Sequence, residues 1–235
     1  MRDCQGPAAR ASMGGMAIRG IVFDMDGTLL DTERLAHEVW AATEAETGTR
    51  YPAGFVYQLT GVAGHQTHRL AAEALGDAAR SEAFFARYRE NYQARLADGA
   101  IRLKPGAEAI LHWAEAAGLR LGLATSTRRA VTDHKLAVTG LARFFSVTVC
   151  GDEVAASKPA PDIFLVAIER LGLPAGDLVA LEDSPNGLSS ATAAGLRTLL
   201  VPDLAPLTDD QRTLAVAVCT DLIAARQWCV AQLDG

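Results

Sequence analysis

Short apolar runs, rich in β-branched residues and leucine, recur along the chain at 20–24, 119–125, 147–150, 178–182, 197–201 and 215–219. Most are apolar almost throughout rather than alternating, the pattern of strands buried on both faces of a parallel sheet. Between them lie stretches with helical spacing of apolar positions, at 106–117, 129–139, 161–171 and 187–194. Gly118, Gly140, Gly172 and Gly195 close these stretches, as glycines do at helix C-termini. Strand and helix in alternation predict a doubly wound, Rossmann-like α/β core around a parallel sheet.

Residues 32–103 break this alternation. They hold no convincing strand, and helical patterns run at 33–47, 65–75 and 81–96. An ordinary crossover needs far fewer residues, so the segment reads as an inserted all-helical domain. The expected division is a leader without order at 1–18, an α/β core at 19–31 and 104–235, and the insertion at 32–103. An insertion after the first strand lies next in sequence to the rim where open α/β sheets bind ligands, and is expected to act as a cap. Hinges are expected at 30–33 and 100–105. The leader lacks the apolar centre of a signal peptide, and Met13 and Met16 are alternative starts.

Composition narrows the function classes. The 235 residues are 49% hydrophobic and 21% charged, which argues against a disordered chain or a coiled coil. Lys plus Arg is 22 against 28 Asp plus Glu, a net charge of −6, so neither nucleic acid nor an anionic membrane is an expected partner. No run of 18 apolar residues predicts a membrane span. Only Lys104, Lys135 and Lys158 are lysines; every other basic residue is arginine. Cys4, Cys150, Cys219 and Cys229 show no metal-finger spacing. Cys150 and Cys219 end apolar runs and are read as buried free thiols, which suits a reduced cytoplasmic compartment.

The candidate chemistry begins where the first strand ends, in Asp24-Met25-Asp26-Gly27-Thr28. Two carboxylates at i and i+2 repel one another when buried. Either a divalent cation with oxygen ligands resolves this, or one carboxylate serves as a nucleophile, or the turn is simply solvated. Three further segments favour chemistry. The second strand ends in Thr125-Ser126-Thr127 before a helix, a ready anion site. Ser157-Lys158-Pro159 follows the third strand, and Glu182-Asp183-Ser184-Pro185-Asn186-Gly187 ends the fourth. All four fall on one rim of the inferred sheet.

In this order the four motifs resemble the haloacid dehalogenase superfamily, most of whose members are phosphohydrolases. The resemblance runs from Arg19 to the last strand. The helical insertion, "AASKPAPDIF" and "LEDSPNG" look like the branch of sugar-phosphate phosphatases and β-phosphoglucomutases. It implies a Mg²⁺-dependent phosphomonoesterase acting on a small phosphorylated metabolite through an aspartyl-phosphate. Asp24 would be the nucleophile and Asp26 the general acid and then base. Thr125 and the Ser126 amide would bind phosphoryl oxygens, with Lys158 neutralising charge. Asp183 would ligate Mg²⁺ together with Asp24 and the Asp26 main-chain carbonyl, and Glu182 would act directly, through a water or through Lys158. His65 and Gln66 in the insertion are the candidates for substrate contact. A cytoplasmic monomer is expected.

Within that superfamily, Asp26 argues against a dehalogenase, which has no alcohol to protonate. The absence of lysine from 32–103 argues against a phosphonate hydrolase, which uses a lysine there. The alternative is a β-phosphoglucomutase-like isomerase. Its helix histidine aligns with Ala36, one residue from His37, and its loop arginine aligns with Gly64 in Gly61-Val62-Ala63-Gly64-His65. A hydrolase is therefore favoured. His68, His112 and His134, the stretch Arg87 to Arg95, and Trp40, Trp113 and Trp228 are read as packing or solvated positions.

Overall fold

The computed structural model describes residues 4–5, 18–59, 64–205 and 207–233. It divides into two compact units, one of Met1–Leu30 with Leu103–Gly235, the other Asp31–Arg102.

The first unit is built on seven strands: β1 (Cys4–Gln5), β2 (Gly20–Phe23), β3 (Arg120–Thr125), β4 (Val147–Cys150), β5 (Leu178–Glu182), β6 (Arg197–Leu200) and β7 (Ala217–Cys219). Their order in the sheet is β1-β7-β6-β5-β2-β3-β4. From β2 onward all neighbours are parallel. Every residue of β2 and β5 is buried, the apolar ones as strands covered on both faces require, with Glu182 at the end of β5 the one acid among them. The chain runs outward from β2 through β3 to β4, then returns to β5 on the other side of β2. The β2/β5 junction is therefore the switch point of the sheet, where a ligand crevice opens at the strands' carboxyl ends.

The helices of this unit follow the apolar spacing closely. They are met here after the insertion's own α1 (Thr32–Thr47), α2 (Phe55–Gln58), α3 (Gly64–Leu75) and α4 (Ala78–Ala97). The core helices are α5 (Ala107–Ala116), α6 (Arg129–Thr139), α7 (Asp162–Leu171), α8 (Pro185–Ala193), α9 (Asp209–Arg212) and α10 (Leu222–Leu233). Gly118, Gly140, Gly172 and Gly195 all have positive φ, so each reverses the chain where a helix ends. Ile163, Phe164, Ala167 and Leu171 of α7 pack with Val22, Ala124, Val149 and Ala180 of the sheet in one buried cluster.

Two expectations about the N-terminal region and the cysteines need correction. The leader was expected to lack order, yet Cys4–Gln5 pairs antiparallel with β7 in register Cys4↔Cys219. Cys219 is not a free thiol: that register brings it against Cys4, and the two form a disulfide. Cys150 and Cys229 are free and buried. Met13 and Met16 lie outside the described residues. Among the described residues no helix is long and apolar enough to cross a membrane.

The second unit has its own core. Trp40 is its hub, with ring centroids 4.7 Å from Phe84, 4.9 Å from Tyr51 and 5.8 Å from Phe85. Thr43 of α1 and Ser81 of α4 are buried but bonded, to the Val39 carbonyl and to Tyr51. The unit carries a half-open pocket of about 130 Å³ whose walls include Glu33, His37, Thr67, Trp40 and Tyr88. Gly61, Val62 and Ala63 lie outside the described residues.

Candidate active site

Four loops at the carboxyl ends of β2, β3, β4 and β5 bring the predicted core residues together. Asp24 follows β2 directly, and its amide donates to the Leu181 carbonyl at 2.9 Å, so it continues the pairing with β5. Glu182 is the last residue of β5 and Asp183 follows it. One carboxylate oxygen from each of Asp24, Glu182 and Asp183 lies within 4.8 Å of the others. All three residues are buried.

Lys158 is the cation of this cluster. Its Nζ donates to Asp24 Oδ1 and Glu182 Oε1, each at 2.6 Å, and to the Ala124 carbonyl at 3.0 Å. The ammonium also lies 5.0 Å from the centroid of the Phe164 ring, a cation–π distance. Burial by itself would lower the Lys158 pKa, but the charges of Asp24 and Glu182 outweigh it and the net shift is upward. Asp24 moves up to about 8, chiefly through burial and against the pull of Lys158. Asp183 is raised well above the carboxylate range by burial, then by the charges of Asp24 and Glu182. Three carboxylates therefore share one ammonium, and the surplus negative charge is what a hard cation would offset.

The local sequence explains how each group is held. In the turn after β2, Gly27 has φ +87, and a Cβ there would run into Asp183 Oδ2. Thr28, fully buried, donates from its hydroxyl to Asp183 Oδ1 at 3.0 Å. After β5, Ser184 caps α8 by accepting from the Gly187 amide at 3.1 Å, with Pro185 in the first turn. A side chain at 187 would occupy the place of the Glu182 carboxylate, which accounts for glycine there. Glu182 Oε2 accepts from the Asp183 amide at 3.2 Å and the Ser184 hydroxyl at 3.3 Å.

Thr125 is buried at the end of β3 and its Oγ1 accepts from the Thr127 amide at 3.1 Å. Ser126 is exposed, and its carbonyl lies so close to Gly151 that no Cβ fits between them. Lys135 and Thr127 both hold Asp26: Lys135 Nζ donates to Oδ1 and Thr127 Oγ1 to Oδ2, each at 2.6 Å. The sequence marks Lys135 only as one of three lysines and assigns it no role. Its position on the buried face of α6 is the missing signal, since Thr132 and Leu136 of the same helix are buried beside it. His65 and Gln66 belong to the second unit, in the first turn of α3, and Gln66 is exposed.

Comparison with known proteins gives the family. The family model for haloacid dehalogenase-like hydrolases matches residues 18–195. Protein CbbY of Rhodobacter capsulatus is 37% identical over 197 residues, spanning 80% of this chain and 86% of that protein. A phosphorylated carbohydrates phosphatase of Thermotoga maritima is 31% identical over 182 residues, 77% of this chain and 84% of its own. Among solved structures, CbbY from Rhodobacter sphaeroides in complex with xylulose-(1,5)bisphosphate superposes with a TM-score of 0.71 at 31% identity, covering 87% of this chain and 95% of that one. With four loop motifs converging on one buried acidic rim and a family match over most of its length, the chain belongs to the haloacid dehalogenase-like hydrolases.

Proposed function

We propose that this phosphatase hydrolyses a small sugar phosphate, with Asp24 as nucleophile and Asp26 as general acid and then general base. The observation that carries the reading is the Lys158 ammonium, 2.6 Å from both Asp24 Oδ1 and Glu182 Oε1. It fixes a carboxylate at the switch point beside a cation able to meet phosphoryl oxygens. A carboxylate oxygen of Asp24 attacks phosphorus. The bond from phosphorus to the sugar oxygen breaks, its electron pair stays on that oxygen, and Asp26 supplies the proton. Asp26 then takes a proton from the water that attacks the aspartyl-phosphate. The bond to Asp24 breaks and returns its electron pair to the carboxylate. One water is consumed, and an alcohol and inorganic phosphate leave. Thr125 and the Ser126 amide bind the transferring phosphoryl oxygens in this scheme.

The donor set fits Mg²⁺, because three buried carboxylates within 4.8 Å face one ammonium and all offer hard oxygen. Asp24 and Asp183, with the Asp26 main-chain carbonyl, would hold the ion. When bound it would offset charge on the phosphoryl oxygens. Glu182 already meets Lys158 with one oxygen and its own loop with the other, so it acts chiefly by holding Lys158. Selection among sugar phosphates is assigned to the insertion, with His65 and Gln66 the first candidates. The similarity to a phosphorylated carbohydrates phosphatase supports the substrate class. A cytoplasmic monomer belongs to the same proposal.

The test is phosphate release from fructose 1-phosphate, glucose 6-phosphate, ribose 5-phosphate and β-glucose 1-phosphate. Turnover of at least one at a kcat/KM above about 10⁴ M⁻¹s⁻¹, within the ordinary enzymatic range, is the expected result. Conversion of β-glucose 1-phosphate to its 6-phosphate isomer, given a bisphosphate primer and without phosphate release, would establish the isomerase instead. His65→Ala and Gln66→Ala should reorder the preference within this panel.

A further inference from the structure

We infer that Lys135 is a positioning residue for Asp26, holding the general acid–base of the reaction in one orientation. The inference deepens the phosphatase reading and rests on its assignment of Asp26. Lys135 comes from α6, far from the motif in sequence. Its side chain is only 5% exposed, and its Nζ lies 2.6 Å from Asp26 Oδ1. Thr127 meets the other oxygen at the same distance. The two donors differ in kind. An ammonium can only donate, whereas a hydroxyl donates or accepts. With Oδ1 held by Lys135, the proton that Asp26 gives and takes back is directed to Oδ2, where Thr127 can reverse its own hydrogen bond.

Fold stability does not call for a lysine here. Replacing a buried ion pair by apolar side chains of similar volume is often neutral or stabilising, and α6 already buries Leu136 on this face. The choice of cation carries information too. Of the 22 basic residues only three are lysines. Each of the three donates to an aspartate at 2.6 Å: Lys104 to Asp203, Lys135 to Asp26 and Lys158 to Asp24. Their side chains are 19%, 5% and 6% exposed. In a chain that uses arginine elsewhere, lysine stands where a compact point charge meets a carboxylate in a confined place, and a planar guanidinium is no substitute there.

The experiment compares two esters on Lys135→Met, Lys135→Arg, Asp26→Asn and the unaltered enzyme. One is p-nitrophenyl phosphate, whose nitrophenolate leaves without a proton. The other is the sugar phosphate turned over fastest in the panel above, whose alkoxide needs one. The quantity read is kcat/KM, which reports the first phosphoryl transfer. Lys135→Met should lose about 10²-fold on the sugar phosphate and stay within about threefold on p-nitrophenyl phosphate, since general acid catalysis is worth 10²–10⁴-fold. Lys135→Arg, which keeps the charge, should recover part of that loss and carries the same comparison if the Met variant does not fold. Asp26→Asn should show the same split between esters, and larger. Equal loss on both esters in the Lys135 variants would overturn the inference, because a merely structural lysine damages both. A split in Asp26→Asn with none in Lys135→Met would overturn it while leaving the acid assignment standing. No split in Asp26→Asn would remove the acid assignment and the inference together.

Discussion

The Thr28 hydroxyl donates to Asp183 Oδ1 at 3.0 Å with both groups buried, and so ties the loop after β2 to the loop after β5. The neighbouring residue makes that tie possible. Gly27 turns the chain at φ +87, and the space its Cβ would need is taken by the Asp183 carboxylate. Gly27→Ala should therefore displace Asp183 as well as strain the turn. The expected result is weaker Mg²⁺ binding by about tenfold or more, a change of roughly 1.4 kcal/mol. Activity titrated against Mg²⁺ measures it. An unchanged Mg²⁺ midpoint would show that Asp183 does not need this turn.

Asp24 stands at about 8 in place of the ordinary 3.8, raised first by burial. A carboxyl raised in the folded state resists ionisation that the unfolded chain accepts, so stability falls as pH rises between about 4 and 8. Asp24→Asn removes Asp24's share of that slope and leaves that of Asp183. In EDTA, the melting temperature of Asp24→Asn relative to the unaltered enzyme should climb across this window, most of all at pH 8. Turnover should meanwhile fall by several orders of magnitude, since the nucleophile is gone. A constant difference in melting temperature from pH 4 to 8 would contradict the burial effect, and retention of a tenth of kcat would contradict the nucleophile.

The rim was legible because it lies in the sequence next to strands that are themselves legible. Runs such as 178–181 are apolar without interruption, and acids that close one, as Glu182 and Asp183 do here, can only sit at its carboxyl end. Lys158 and Asp183 were placed by motif, and in the structure Lys158 donates to Asp24 while Asp183 accepts from Thr28. Lys135 was not, because a single charge in a helical stretch reads as solvent-facing until the helix is seen to turn that face inward. β1 was invisible for another reason. Two residues carry no periodicity, and their pairing is fixed by β7 and the Cys4–Cys219 bond, 215 residues apart. The same bond escaped the cysteine spacing, which reads local motifs. α10 was missed because much of its buried face is small, with Ala224, Ala225 and Cys229 beside Leu222.

Metal removal should abolish activity, and Mg²⁺ should restore it better than Ca²⁺. Few protein oxygens at a tight turn suit a small octahedral ion completed by waters and phosphate, whereas Ca²⁺ seeks six to eight ligands at longer distances. Because Asp24 and Asp183 are both raised in the protein alone, Mg²⁺ has to compete with protons. Its apparent affinity should tighten as pH rises toward 8. Dialysis against EDTA, then titration with each ion at pH 6 and pH 8, reads both effects. Full activity in excess EDTA, or a Mg²⁺ affinity independent of pH, would rule out this donor set.

The last prediction concerns the sheet edge. Cys4 and Cys219 join strands 215 residues apart in sequence, so their bond closes nearly the whole chain into one loop. In the chain-entropy account a loop of this size is worth about 5 kcal/mol, since the unfolded state loses much of its freedom. β1 offers little else to hold it, being two residues long on one edge of the sheet. A thiol reductant should therefore lower the melting temperature, and Cys4→Ser should lower it to the same value with no further response to reductant. Activity should change little, because the rim is built from β2, β3, β4 and β5 on the other side of β6 and β7. In a reducing cytosol the bond would open and this stabilisation would be absent. Equal melting temperatures with and without reductant, in protein shown by mass spectrometry to carry the bond, would mean that β1 pairs without contributing to stability.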